Sequence, residues 1–291
     1  MIHLTYKPSA YNPPIPWDLA KNQNMILMPI GDVHFGSKDF PVQHLKDNIQ
    51  WALDHGCTFL GMGEYLDFTP SSQRQGLGVL RESTREIIDD LITGQANELF
   101  EILAPTRGRW IGLLEGDHRW DFVGGNSVDQ YLCELLGCEF LGTSAMVRIS
   151  AGVKGHPEAD TILYAHHGIG SSRTAGGHLN QVENLLKIID ADIALMGHSH
   201  AKVGTTVDRQ YISPDNIHYH RSKVIARTGA WLKAYASHGP LPLADPAVNS
   251  RGTYAEAKAY QPSALGGICI GIGYERITNS KYYKPALHLS L

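Results

Sequence analysis

Five short apolar runs in this chain, each of strand length, break off into a residue that can hold a cation. MILMPI leads into Gly31-Asp32-Val33-His34, and TFLGM into Gly63-Glu64-Tyr65-Leu66-Asp67. WIGLLE leads into Gly116-Asp117-His118-Arg119, TILYA into His166-His167-Gly168, and DIALM into Gly197-His198-Ser199-His200. Helix-like stretches separate them, at Pro41–His55, Arg81–Leu103, Ser127–Leu136 and His178–Ile189. Within Arg81–Leu103, Ile87, Ile88, Leu91, Ile92, Leu99 and Phe100 recur at helical spacing and predict a buried stripe. Strand–helix alternation of this kind predicts an α/β layered fold. In such sheets ligands bind beyond the carboxyl ends of the strands. Five converging ends would therefore gather acids and histidines at one edge.

Composition narrows the setting. The chain has 291 residues, 43% apolar and 19% charged, with a net charge of −4. That is an ordinary globular balance, and it excludes a disordered or collagen-like chain. It also leaves no global basic footprint for nucleic acid, so any such contact would be a local patch. Four cysteines without CxxC spacing read as reduced thiols. No apolar stretch approaches the ~18 residues of a membrane span, and residues 1–24 lack the layout of a signal peptide. A cytoplasmic protein without a membrane partner is expected. Residues 1–24, with four prolines, read as an extended arm. Residues 25–291 read as one domain, with β-like runs after Lys202 and an irregular insertion at about 233–263. Oligomeric state is not legible.

Taken in order, Asp32-x-His34, Gly63-Glu64-x-x-Asp67, Gly116-Asp117-His118, His166/His167 and Gly197-His198-x-His200 resemble the calcineurin-like metallophosphoesterases. That family's pattern is DxH, GDxxD, GNH, a lone histidine and GHxH. The resemblance spans roughly residues 25–205. HHGIGSSRTAGGHLN and ARTGAWLKAY are also similar to segments of phage-encoded members. The resemblance implies a β-sandwich flanked by helices, a four-layer αββα fold, holding two divalent ions. Asp32, His34 and His200 would bind the first ion. Asp117, one of His166 and His167, and His198 would bind the second, with Glu64 bridging. His166, which follows the small Ala165, is preferred over His167. Asp67 is the alternative bridge. His118 would be the general acid or a stabiliser of transition-state charge. Mixed carboxylate and imidazole donors suit manganese first, with iron, zinc or nickel as alternatives. Two such ions can clamp a phosphate and lower the pKa of a bound water. A metallo-β-lactamase would need HxHxDH and an amidohydrolase barrel an early HxH; neither order is present.

Two positions depart from the family pattern. Glu64 stands where the bridging aspartate is usual, and Asp117 replaces the GNH asparagine. Asp117 adds a negative charge, which takes the centre from net positive to neutral unless one ion is trivalent or Asp117 is protonated, and a nearby arginine could restore positive charge. Arg119 and Arg173 are the candidates for that and for phosphate binding. Tyr65 and Trp120 are candidates for stacking a base, with packing as the commoner fate of such aromatics. His218 and His220 read as exposed strand residues. The expected activity is phosphodiester hydrolysis, on nucleic acid or nucleotides. Phosphomonoester hydrolysis and a non-catalytic scaffold are the alternatives.

Overall fold

In the computed structural model, residues 3–6, 10–11, 25–37, 40–68, 80–151, 159–170, 172–232, 262 and 264–291 are described. Two sheets stack face to face. The first takes β10 (Lys202–Ile212), β11 (His218–Thr228), β9 (Ile193–Met196), β8 (Ala159–His166), β7 (Ser144–Ala151), β1 (His3–Tyr6) and β2 (Ala10–Tyr11), in that spatial order. The second takes β13 (Tyr283–Ser290), β12 (Cys269–Arg276), β3 (Met25–Ile30), β4 (Thr58–Gly61), β5 (Trp110–Leu114) and β6 (Glu139–Gly142). Strands β3 to β6 run parallel, as do β8, β9 and β11. Helices α1 (Val42–Asp54), α2 (Glu82–Leu103) and α3 (Val128–Leu136) cover the second sheet, and α4 (Ala175–Glu183) covers the first.

Period-two alternation explains the layering. In β3, Met25 and Leu27 face the other sheet, while Met28 and Ile30 face the helices. In β9, Ile193 and Leu195 face inward, and Ala194 and Met196 pack under α4. Three cores result, one between the sheets and one under each helical layer. The expected four-layer arrangement of two sheets flanked by helices is present.

The helices follow their local signals. Ser127 caps α3 in a reciprocal box with Gln130, and Gly137 closes it in a left-handed conformation. The stripe in α2 differs from expectation. Ile92, Ala96, Leu99 and Leu103 are buried at regular helical spacing, whereas Ile87 and Leu91 lie round the side and are 69% and 57% exposed. The last predicted helix begins earlier, at a Thr174 cap, and tightens into a 3-10 turn over Asn184–Lys187. Strand β13 was not anticipated because Pro285 interrupts it, yet β13 is a sheet edge where proline is tolerated. Within the N-terminal segment, β1 pairs antiparallel with β7. Apart from 262, the predicted insertion at 233–263 lies outside the described residues. Among the described residues no helix is long and apolar enough to cross a membrane.

Candidate metal centre

All five donor-bearing segments follow the carboxyl ends of parallel strands, β3, β4 and β5 in one sheet and β8 and β9 in the other. Backbone bonds tie the loops together: Asp32 N–H donates to Gly63 O at 2.9 Å, His34 N–H to Glu64 O at 3.1 Å and Gly197 N–H to His167 O at 2.8 Å. Two glycines permit this convergence. A Cβ on Gly63 would stand 2.5 Å from His167 Nδ1, and one on Gly116 would stand 2.1 Å from Glu64 N.

Among the described residues seven that are not glycine adopt positive φ, and five of them are Asp32, His34, Glu64, His198 and His200. Each such residue costs about 1–3 kcal/mol and persists only where its surroundings over-determine it. Strain concentrated on five cation-capable side chains marks a functional site rather than a folding accident.

Among the described residues two donor groups share Glu64, and a third is made by His34, Asp67 and His118. Asp32, His34, Glu64 and His200 place donor atoms within 4.8 Å of one another, and so do Glu64, Asp117, His167 and His198. The Glu64 carboxylate faces both ways. Its Oε2 lies 2.9 Å from His34 Nε2 and 3.8 Å from His200 Nε2. Its Oε1 lies 3.3 Å from His167 Nε2 and 3.5 Å from His198 Nδ1. Asp117 Oδ2 is 3.3 Å from His198 Nδ1.

Neighbouring groups orient these donors. His34 Nδ1 lies 3.2 Å from Asp67 Oδ1, which leaves Nε2 for the centre. His167 Nδ1 is 2.7 Å from Met62 O, which likewise frees Nε2. Such outer partners set the tautomer and aim of ligating histidines. The buried His167 Nε2 and His198 Nδ1 have the Glu64 and Asp117 carboxylates at 3.3–3.5 Å as neighbours, long contacts for buried polar atoms.

Electrostatics point the same way. Burial and the adjacent Glu64 charge raise the Asp32 carboxyl well above its ordinary range. Burial opposes ionisation of Glu64, yet hydrogen bonds from His167, His198, His200 and His34 hold it well below that range. Against its burial, His34 is pushed up to about 10 by hydrogen bonds to Asp67 and Glu64, and His167 to about 9 chiefly by Glu64. Buried carboxylates call for positive charge. The shared carboxylate and the mixed O/N donors together could hold metal ions. Loading a metal there would release protons and weaken in acid.

Several sequence expectations resolve differently. His167 stands among the donors and His166 does not. Period-two alternation decides this, because His167 follows the inward-facing Ala165 whereas His166 shares the outer side with Tyr164. His166 Nδ1 instead accepts the Gly168 N–H at 2.9 Å. Asp67 does not sit between the donor groups; its Oδ1 joins His34 and, at 3.5 Å, His118 Nδ1. Burial would raise the Asp67 carboxyl, but hydrogen bonds from His118 and His34 hold it well below the usual range. Tyr65 and Trp120 are buried, with Tyr65 donating to Leu114 O at 2.9 Å and Trp120 to Asp89 Oδ1 at 2.5 Å. Neither can stack a base. Arg119 pairs with Glu115 at 2.6 Å and Asp121 at 3.2 Å, while Arg173 lies exposed ahead of α4. His218 and His220 are exposed on β11.

Asp129 was not singled out in the sequence, although it supports the site from α3. Buried, it accepts the Gly116 N–H at 3.1 Å. Burial pushes its carboxyl up to about 7, with the Gly116 bond opposing and the Glu115 charge assisting. An unfolded aspartate titrates near ~3.9, so stability falls as pH rises from roughly 4 to 7. Asp129→Asn, still able to accept from Gly116, is expected to stabilise the fold at pH 8 by on the order of 1–3 kcal/mol and little at pH 4. Thermal unfolding at both pH values checks this; an equal shift at each would refute it.

No protein-family model and no curated protein matches the sequence. Among solved structures, the chain is similar to a conserved uncharacterized protein from Streptococcus pneumoniae TIGR4, described as a predicted phosphoesterase. The identity is 11%, the match covers 91% of this chain and 89% of that one, and the TM-score is 0.30.

Proposed function

We propose that this chain is a metal-dependent phosphoesterase of the calcineurin-like kind, acting by preference on phosphodiesters. The observation that carries the reading is the Glu64 carboxylate, with one oxygen turned to each of two donor groups built from strained loops. Asp32, His34, Glu64 and His200 would hold one ion; Glu64, Asp117, His167 and His198 would hold the other. Manganese is the first choice for both. When bound, the pair supplies Lewis acidity at phosphate and an activated water.

The chain's own residues do the remaining work. Asp67 Oδ1, 3.5 Å from His118 Nδ1, would orient the ring so that its other nitrogen protonates the departing oxygen. The same carboxylate holds His34, so the proposed acid and one donor share a support. A diester is favoured because the second donor group is open. The side chains of Asp117, His118 and His198 are 46%, 26% and 28% exposed, which leaves room for two ester arms. A nucleotide or nucleic-acid strand fits that description.

The test is hydrolysis of bis-p-nitrophenyl phosphate and p-nitrophenyl phosphate, with and without Mn²⁺. Mn²⁺-dependent cleavage of the diester, exceeding that of the monoester, is expected. Preference for the monoester would replace the diesterase reading with monoester hydrolysis. Silence on both, with Mn²⁺ bound, would favour a scaffold.

A further inference from the structure

Arg227 is fully buried on β11, in the run KVIART. Alternation places it with Ile225 on the helix side of the first sheet. Its Nη2 donates to Gln181 Oε1 on α4, and its Nη1 donates to Gly197 O at 2.6 Å. Both of these partners are neutral oxygens, and among the described residues Nε has none. A guanidinium is a costly way to fill a buried strand position, since an apolar side chain of similar volume would avoid desolvating a charge.

The identity of the acceptor explains the choice. Gly197 O belongs to the peptide group whose N–H, that of His198, donates to Asp32 Oδ1 at 3.1 Å and Oδ2 at 2.9 Å. Guanidinium, peptide and carboxylate therefore stand in series, an arrangement in which hydrogen bonds polarise and strengthen one another. The same peptide enters His198 at φ 67°, so its rotation would break both bonds and re-aim the imidazole. Asp32 belongs to one donor group and His198 to the other.

We propose that Arg227 is a positioning residue for the metal centre, clamping the Gly197–His198 peptide so that Asp32 and His198 are aimed together. The inference rests on the metal-centre reading above. Its test is calorimetric titration of Mn²⁺ into metal-stripped wild type, Arg227→Met, Arg227→Lys and Ile225→Val, with a melting curve for each. Removing an outer partner typically weakens metal binding about 10–100-fold, and Arg227→Met is expected to do so. Arg227→Lys should fall between, because lysine keeps the charge but lacks the planar fork that reaches Gly197 O and Gln181 at once. Ile225→Val, on the same strand and side, should lower the melting midpoint and keep Mn²⁺ affinity within about twofold, because it removes only buried methyl packing.

A purely structural role would lower the midpoint of Arg227→Met and leave its Mn²⁺ affinity at the wild-type value; that result overturns the clamp. Should Arg227→Met fail to fold, wild-type affinity in Arg227→Lys overturns it equally. Wild-type protein that takes up no Mn²⁺ overturns the metal-centre reading and the clamp with it. Tight wild-type binding with unchanged Arg227 variants overturns the clamp alone.

Discussion

Glu64→Ala is expected to strip both ions from the site and lower diester hydrolysis by on the order of 10³-fold or more. The size of the effect follows from the shared position. Of the two groups that contain it, every other donor belongs to one alone, whereas the Glu64 carboxylate supplies an oxygen to each. Its removal also takes away the main anion beside His167 and one of the two, with Asp67, that hydrogen-bond His34. The buried site then lacks the negative charge that attracts a cation, so metal attraction drops. Glu64→Gln, which keeps the shape and loses the charge, should fall between wild type and alanine. Metal per chain by plasma mass spectrometry, read beside diester turnover, checks both variants. Two ions retained in Glu64→Ala would show that the carboxylate does not bridge.

His118→Asn is expected to behave oppositely, keeping metal content and losing kcat by about 10²–10⁴-fold. His118 touches Asp67 rather than Glu64, and it appears in neither of the two groups that share the glutamate. The loss should also depend on the leaving group. p-Nitrophenolate departs readily without a proton, so a bis-p-nitrophenyl substrate should lose less than an alkyl diester. Comparing kcat on the two substrates measures the difference. An equal loss on both would favour charge stabilisation over proton donation. Full activity on both would remove His118 from the mechanism.

Much of this site was legible in the sequence because its parts are local. Each donor loop is an apolar run followed directly by its donor, so strand ends and donors are read together, as in MILMPI before Asp32 and DIALM before His198. That His167 rather than His166 lies among the other donors has a reason within reach of the sequence. Facing alternates along β8, and Ala165, not His166, lies between the sheets. The burial of Tyr65 and Trp120 was less accessible, because both stand beside site residues in sequence and turn into the core in space.

What the sequence by itself determined is the order of strand and donor, the helix caps and the alternation that makes each strand two-faced. These are one-dimensional properties, set by residues a few positions apart. Only the tertiary structure decided which donors meet across the two sheets, that Asp67 supports both His34 and His118, and that Arg227 reaches Asp32 through a peptide group. Those links join residues from 33 to 195 positions apart in the chain. Long-range links of that kind form only when the packed sheets fix the loops against one another, and the hydrogen bonds that hold strained backbone in place exist only there.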